Sequence, residues 1–99
     1  MAVAFTIPGP LRPFASGESR ALLAAPGRTV AEALEALWVL HPGLKARVLT
    51  EQGQVRPHVN IFVDADNVRD LGGLTSSIPE SCEIAILPAV SGGIEGLKD

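Results

Sequence analysis

The sequence is poor in the residues that support disulfide frameworks and metal centres. Its 99 residues include one cysteine, Cys82, two histidines and no tyrosine. A single cysteine forbids an intramolecular disulfide, and no cysteine and histidine stand at the spacing of a zinc finger. We therefore expect no metal site, and a chain that suits a reducing compartment.

Long apolar runs and clusters of basic residues are missing as well. No stretch approaches the length of a membrane-spanning helix, about 18 apolar residues, and the first residues lack the basic and apolar regions of a signal peptide. The net charge is −3, from 11 acidic and 8 basic residues, and the arginines are scattered. We expect no membrane or nucleic-acid partner, and a cytoplasmic location.

The few chemically active side chains do not form a catalytic motif. His41 falls near the end of a predicted helix and His58 at the start of a predicted strand, with no serine or cysteine motif beside either. Cys82 precedes an apolar strand next to Glu83, which gives no reason for a lowered thiol pKa. The glycine pairs lack the P-loop pattern. The sequence therefore argues against an enzyme.

A hairpin is predicted at the start of the chain. Val3, Phe5 and Ile7 alternate with smaller residues, which indicates a strand with one face in the core, and Pro-Gly-Pro stops the run. A loop over residues 12–18 leads to a short apolar run at 20–25, which can pair with the first strand. Because small alanines flank the two leucines of this run, the pattern leaves its register weakly determined.

One main helix is predicted next. Thr29 and Glu32 have the T-x-x-E spacing of a capping box, which satisfies free amide groups of the first helical turn. Apolar residues then recur at spacings of three and four as far as Trp38, which we expect in the core, and Pro-Gly forbids continuation beyond about His41. Residues 44–49 can form another helical turn.

The second half of the chain is predicted to form mainly strands. Residues 58–64 alternate, with Val59, Ile61 and Val63 on one face and Phe62 as the apolar exception on the other. A tight turn at 64–67, a short strand Val68-Arg69 and a final apolar strand at 83–88 follow.

The order β-β-α-β-β-β predicts an α+β protein. Two hairpins flank a helix, and the final strand is apolar on both sides, so it should lie centrally beside the first strand. This is the β-grasp, or ubiquitin-like, arrangement, a mixed sheet of four to five strands with one main helix packed across it. We expect one such domain over residues 1–93, with a flexible extension at 94–99.

The last strand runs into a thin arm. Ala89, Val90, Ser91, Gly92 and Gly93 follow Leu-Pro, and the paired glycines leave the backbone free of side-chain clashes in a narrow cleft. From Ala89 to Gly93 the extended chain spans about 14 Å. The arm therefore has the form of a substrate that enters another enzyme while the domain docks outside it.

The chain resembles the MoaD/ThiS family of sulfur-carrier proteins over residues 2–93. The resemblance rests on four segments: Gly-Pro-Leu-Arg at 9–12, Thr-Val-Ala-Glu-Ala-Leu at 29–34, Val-Asn-Ile-Phe-Val at 59–63, and Glu-Ile-Ala-Ile-Leu-Pro-Ala-Val-Ser-Gly-Gly at 83–93. Their order along the chain is far more specific than a lone Gly-Gly.

The resemblance implies a protein that is acted upon and binds no cofactor itself. A ubiquitin-activating-type adenylyltransferase would use ATP to adenylate the Gly93 carboxylate. A sulfurtransferase would then convert it to a thiocarboxylate, and a downstream synthase would accept the sulfur for a cofactor or metabolite.

Docking of the domain also needs a surface. Phe62 and Leu87 are the candidates, because both fall on the sheet face away from the helix, and exposed apolar residues favour a partner over solvent. Arg69 and Asp64 are candidates for its polar rim. The alternatives are a core position for Leu87 and ordinary solvated charges for the other two.

The chain departs from the family pattern after Gly93. Residues 94–99 continue as Ile-Glu-Gly-Leu-Lys-Asp, whereas only a free terminal carboxylate can be adenylated. The family resemblance implies cleavage between Gly93 and Ile94 by a zinc-dependent JAMM-type peptidase. The alternative is a terminal segment without consequence.

Two classes of function remain. The first is sulfur carriage. The second is a ubiquitin-like protein modifier, which would join Gly93 to target lysines, or an unprocessed β-grasp binding module.

Overall fold

A mixed sheet with one main helix on one face forms the body of the protein. The computed structural model describes residues 2–24 and 27–88. The elements in chain order are β1 (Ala2–Thr6), β2 (Arg20–Ala24), α1 (Val30–Leu40), α2 (Lys45–Val48), β3 (Val59–Val63), β4 (Asp66–Asn67), α3 (Val68–Leu71) and β5 (Cys82–Pro88). The predicted α+β, β-grasp arrangement is confirmed.

The last strand lies in the middle of the sheet. The strand order is β2-β1-β5-β3-β4. β5 pairs in parallel with β1, where Phe5 is opposite Ile84, and antiparallel with β3, where Ile61 is opposite Ile86. The prediction that an apolar final strand sits centrally beside the first strand is therefore confirmed.

The core lies between one face of the sheet and α1. Alternate residues of the three central strands are buried, and so is the stripe of α1 that packs against them. From the strands these are Val3, Phe5, Val59, Ile61, Val63, Ile84 and Ile86, and from the helix Val30, Ala33, Leu34, Leu37 and Trp38. Trp38 is 5% exposed, so its predicted core position is confirmed.

The start of α1 is capped as the sequence predicts. The Thr29 hydroxyl accepts the Glu32 N–H at 3.2 Å, and the Glu32 carboxylate accepts the Arg28 N–H at 2.7 Å. Gly27 has φ +153°, and a Cβ there would clash with the Cβ of Glu32. The Val30 N–H in the same turn donates to the Ser76 carbonyl at 3.0 Å and so connects the start of α1 to the loop before β5.

The predicted strand Val68-Arg69 is wrong. The strand is β4, two residues earlier, and it pairs Asn67 with Phe62. Val68 begins the short helix α3, because the Asn67 side chain accepts the Arg69 N–H at 3.0 Å as a helix cap. Val68 is buried as part of this helix, and a strand would also bury an apolar residue, so its apolar character did not distinguish the two.

The predicted loop at 12–18 is shorter than expected. A 3₁₀ helix covers Gly9–Ala15 and buries Leu11 and Ala15. Prolines in this segment fix φ at helical values. The turn at 42–48 is likewise built from a 3₁₀ helix, Pro42–Leu44, followed by α2, which matches the predicted helical turn.

Candidate functional site

The predicted arm lies outside the described residues. Ala89, Val90, Ser91, Gly92 and Gly93, and the predicted cleavage site between Gly93 and Ile94, all fall in this part of the chain. What the structure defines is the point of attachment. Pro88 ends β5 and pairs with Val59 at the start of β3, so the arm begins at the centre of the sheet.

The outer face is the sheet surface opposite α1. Along β5 its residues are Glu83, Ala85 and Leu87, the positions between those that enter the core. On β3 the residues Phe62 and Asn60 lie on the same face, because Phe62 is directly opposite Ala85 and Asn60 is opposite Leu87.

Phe62 and Leu87 are therefore diagonal neighbours on the outer face. Such neighbours are within reach of long side chains. Leu87 is 42% exposed and Phe62 is half-buried. Leu87 is thus a surface residue and the alternative of a core position is excluded. The docking role itself stays a prediction.

A polar cluster adjoins this apolar pair. The Arg69 guanidinium donates to the Asn60 side-chain oxygen at 2.6 Å and to the Arg56 carbonyl at 3.0 Å. Asn67 also donates to Asn60, at 3.4 Å. Since Asn60 is opposite Leu87, Arg69 lies beside the apolar pair, and its role as part of a docking rim stays a prediction. A fixed guanidinium of this kind can recognise a carboxylate.

Asp64 is the second candidate for the polar rim, and that role stays a prediction. It lies in the turn between β3 and β4 with φ +54°. Its N–H donates to the Glu83 carbonyl at 2.7 Å, and its carboxylate accepts the Glu83 N–H at 3.0 Å. These two hydrogen bonds connect the turn to the start of β5, so Asp64 stabilises the fold at this point.

The outer face continues across β1 and β2. Leu22, opposite Ala4, is 72% exposed. The Arg20 guanidinium lies 3.6 Å from the Glu83 carboxylate, and the Thr6 hydroxyl donates to the same carboxylate at 3.3 Å. Leu22 could not be identified from the sequence, because the run Ala-Leu-Leu-Ala does not show which leucine faces the helix.

The remaining reactive side chains do not assemble into a site. Cys82 is half-buried, and burial, followed by the charge of Asp64, raises the pKa of its thiol. His41 donates its backbone N–H to Leu37 at the end of α1, and His58 is exposed in a turn. Across residues 2–24 and 27–88 no three His, Cys, Asp or Glu side chains cluster as metal ligands.

The helices of the described residues are short. α1 has 11 residues, and no helix in residues 2–24 and 27–88 has the length and apolar character needed to cross a membrane.

Comparison with known proteins gives the family. The model of the ThiS family matches residues 5–93, from β1 to the second glycine of the pair. The chain belongs to the ThiS family. The match ends at Gly93, so the six-residue segment 94–99 lies beyond the part that the family model covers.

Relatives and solved structures agree with the ThiS assignment. The sulfur carrier protein CysO of Mycobacterium tuberculosis is 34% identical over 95 residues, which cover 94% of this chain and all of the relative. Small archaeal modifier protein 1 of Haloferax volcanii is 37% identical over 65 residues, 66% of this chain and 70% of that protein.

Among solved structures, the BexX/CysO complex of Amycolatopsis orientalis contains a chain with a TM-score of 0.82. That chain is 35% identical, and the match covers 92% of this protein and 99% of that chain.

Proposed function

We propose that this protein is a sulfur carrier that acts through its Gly93 carboxylate once residues 94–99 have been removed. The observation that carries the proposal is the combination of β5 at the sheet centre with a Gly-Gly arm at which the ThiS match ends. In this role the chain is a substrate and supplies no catalytic group. CysO of Mycobacterium tuberculosis is named a sulfur carrier protein, and its similarity to this chain over its whole length supports this role.

The chemistry requires activation by another protein. A carboxylate is a poor electrophile, so its oxygen first attacks the α-phosphorus of ATP and releases pyrophosphate, which gives an acyl adenylate. Hydrosulfide, for which a sulfurtransferase is the sulfur donor, then attacks the acyl carbon and displaces AMP. The net change replaces one carboxylate oxygen with sulfur, and the thiocarboxylate donates that sulfur to a synthase. ATP belongs to the activating enzyme, and the carrier binds no cofactor.

The domain body would hold the arm in register with that enzyme. Phe62 and Leu87 form an apolar pair on the outer face, and Arg69 beside them is fixed by two hydrogen bonds. An apolar contact with a polar margin is the usual composition of a protein interface. We infer that the adenylyltransferase contacts this pair while the arm reaches its nucleotide.

Trimming is the step that makes the carboxylate available. With residues 94–99 attached, the Gly93 carbonyl is part of a peptide bond and cannot be adenylated. A zinc-dependent JAMM-type peptidase that cleaves between Gly93 and Ile94 would release it. We place the protein in the cytoplasm, because a reducing compartment preserves both a thiocarboxylate and the free Cys82 thiol.

The deciding experiment is intact-mass measurement of the protein isolated from its native cells, with fragmentation of the C-terminus. We expect a chain that ends at Gly93 and carries one sulfur in place of one oxygen. A chain that ends at Asp99 under active sulfur metabolism would overturn the proposal and favour an unprocessed binding module.

A second function is favoured by one observation, the similarity to a small archaeal modifier protein. A modifier would also be activated at Gly93 but would end in an amide bond to a lysine. Tryptic digestion of cell extract distinguishes the two, because cleavage after Arg69 leaves residues 70–93 of a conjugated modifier attached to lysines of other proteins.

A further inference from the structure

The strand β2 leaves one edge of the sheet open. It is terminal in the strand order and is paired only through β1 among the described strands. The Ile7 N–H donates to the Ser19 carbonyl at 2.9 Å, in the same register that pairs Phe5 with Ala21 and Val3 with Leu23.

That register decides which backbone groups are free. In an antiparallel pair, residues that exchange both hydrogen bonds alternate with residues that exchange none. Since Ser19 is bonded to β1, so are Ala21 and Leu23. The N–H and C=O groups of Arg20, Leu22 and Ala24 therefore point to the open edge.

This edge carries little of the protection that sheet edges normally have. Edge strands are usually shielded by charges, prolines or bulges. Here Arg20 at the start of the strand is its single charge, and the register with β1 runs without a bulge from Arg20 to Ala24. At its centre Leu22 is 72% exposed.

We propose that β2 pairs antiparallel with β2 of a second copy of this chain, with the two Leu22 residues on the two-fold axis. In this register Arg20 is opposite Ala24 of the second copy. All three outward residues then exchange both of their hydrogen bonds. A shift by two residues leaves one of the three unpaired at each end, so the symmetric register is preferred.

The side chains fit this arrangement. Leu22 meets Leu22 on the outer face, which covers two exposed apolar side chains. Each Arg20 faces an alanine, so like charges are kept at opposite ends of the pairing. The two five-stranded sheets would join into one, and the outer faces that carry Phe62 and Leu87 would become continuous. A two-fold, self-complementary interface is the commonest form of homodimer.

Sedimentation velocity of the full chain tests the proposal. Because a single strand pairing buries less surface than a standard interface, we expect a weak dimer whose population rises between about 10 µM and about 1 mM. Leu22→Lys places two ammonium groups together on the axis and should weaken the dimer at least about tenfold. The matched control is Val39→Lys, on an exposed α1 residue (83%), which should leave it unchanged.

Hydrogen exchange of the wild-type chain provides a test that needs no variant. With rising concentration, the amides of Leu22 and Ala24 should gain protection, whereas those of Ala21 and Leu23, already bonded to β1, should not change. Monomer at all concentrations would overturn the proposal. So would a dimer that Leu22→Lys does not weaken, or concentration-dependent protection confined to another segment.

Discussion

The two faces of the sheet are built from the same strands and differ in almost every other respect. The inner face is closed by α1, and Phe5, Ile84 and Ile86 on it are fully buried. The outer face carries exposed Leu22 and Leu87 among polar side chains. Strand alternation thus divides the strand residues into a buried set that stabilises the fold and a set on the outer face for which we propose a docking role. Substitutions on the two faces should separate these properties.

The largest effect is expected from a cavity in the inner face. Phe5→Ala on β1 removes a fully buried ring and should lower the free energy of unfolding by about 3–5 kcal/mol, a large part of a typical total of about 5–15 kcal/mol. Urea denaturation measures it. Leu87→Ala is the counterpart on the outer face and should cost less than about 1 kcal/mol. Equal decreases in the free energy of unfolding for the two variants would show that the two faces contribute equally to stability, contrary to this prediction.

A charge placed on the outer face should leave the stability of the fold unchanged and lower the rate of activation. Leu87→Lys in the chain trimmed at Gly93 should lower kcat/KM for adenylation by the activating enzyme at least about tenfold, the scale of an interface hot spot. Pyrophosphate release reports the rate. Val39→Lys, an exposed apolar residue on α1, is the matched control. If both variants are activated at the wild-type rate, the outer face is not the docking surface.

The Thr29 cap should affect stability and not activation, because it stabilises α1, the helix that covers the inner face. Thr29→Ala removes the hydroxyl that accepts the Glu32 N–H and should cost about 1 kcal/mol in unfolding free energy, with adenylation unchanged at temperatures where the chain is folded. Thr29→Ser keeps the acceptor and should recover most of the loss. A decrease in kcat/KM for the folded variant would show that the cap also serves recognition.

The smallest effect concerns Cys82, which lies at the margin of the inner face opposite Val3. Burial and then the Asp64 charge raise the pKa of its thiol above the ordinary value of 9.0. Alkylation by iodoacetamide should therefore be slow near neutral pH and rise only in the alkaline range. Asp64→Asn keeps an acceptor for the Glu83 N–H, removes the charge, and should shift this rise to slightly lower pH. An unchanged or upward shift would contradict the electrostatic contribution.

The inner face was predictable from the sequence because it depends on local period. Alternation at Val59, Ile61 and Val63, and the three-and-four spacing of α1, are enough to identify the core. The sequence pattern could not decide between a strand and a helix where either would bury the same apolar residue. Val68 is buried as part of a helix although a strand was predicted, since the deciding contact is the hydrogen bond from Arg69 to the Asn67 side chain.

The outer face was predictable only in part. Phe62 broke an otherwise regular alternation, and Leu87 was assigned to the face away from the helix, so both could be proposed from the sequence. Leu22 did not, because register with β1 decides which of two adjacent leucines turns outward. The hydrogen bond between Arg69 and Asn60, and the bond between Asp64 and the start of β5, join residues that only the folded chain brings together.

The parallel pairing of β1 with β5 also bears on how the protein is made. Val3 meets Cys82 across almost the whole length of the chain, so the first strand leaves the ribosome long before its central partner is synthesised. Until then the hairpin of β1 and β2 has an unfilled inner edge and an uncovered apolar side. Folding should thus be completed in one late step, when the last strand enters the sheet. This step should be slower than the folding of a helical protein of this size. Only then is the arm attached to a folded domain.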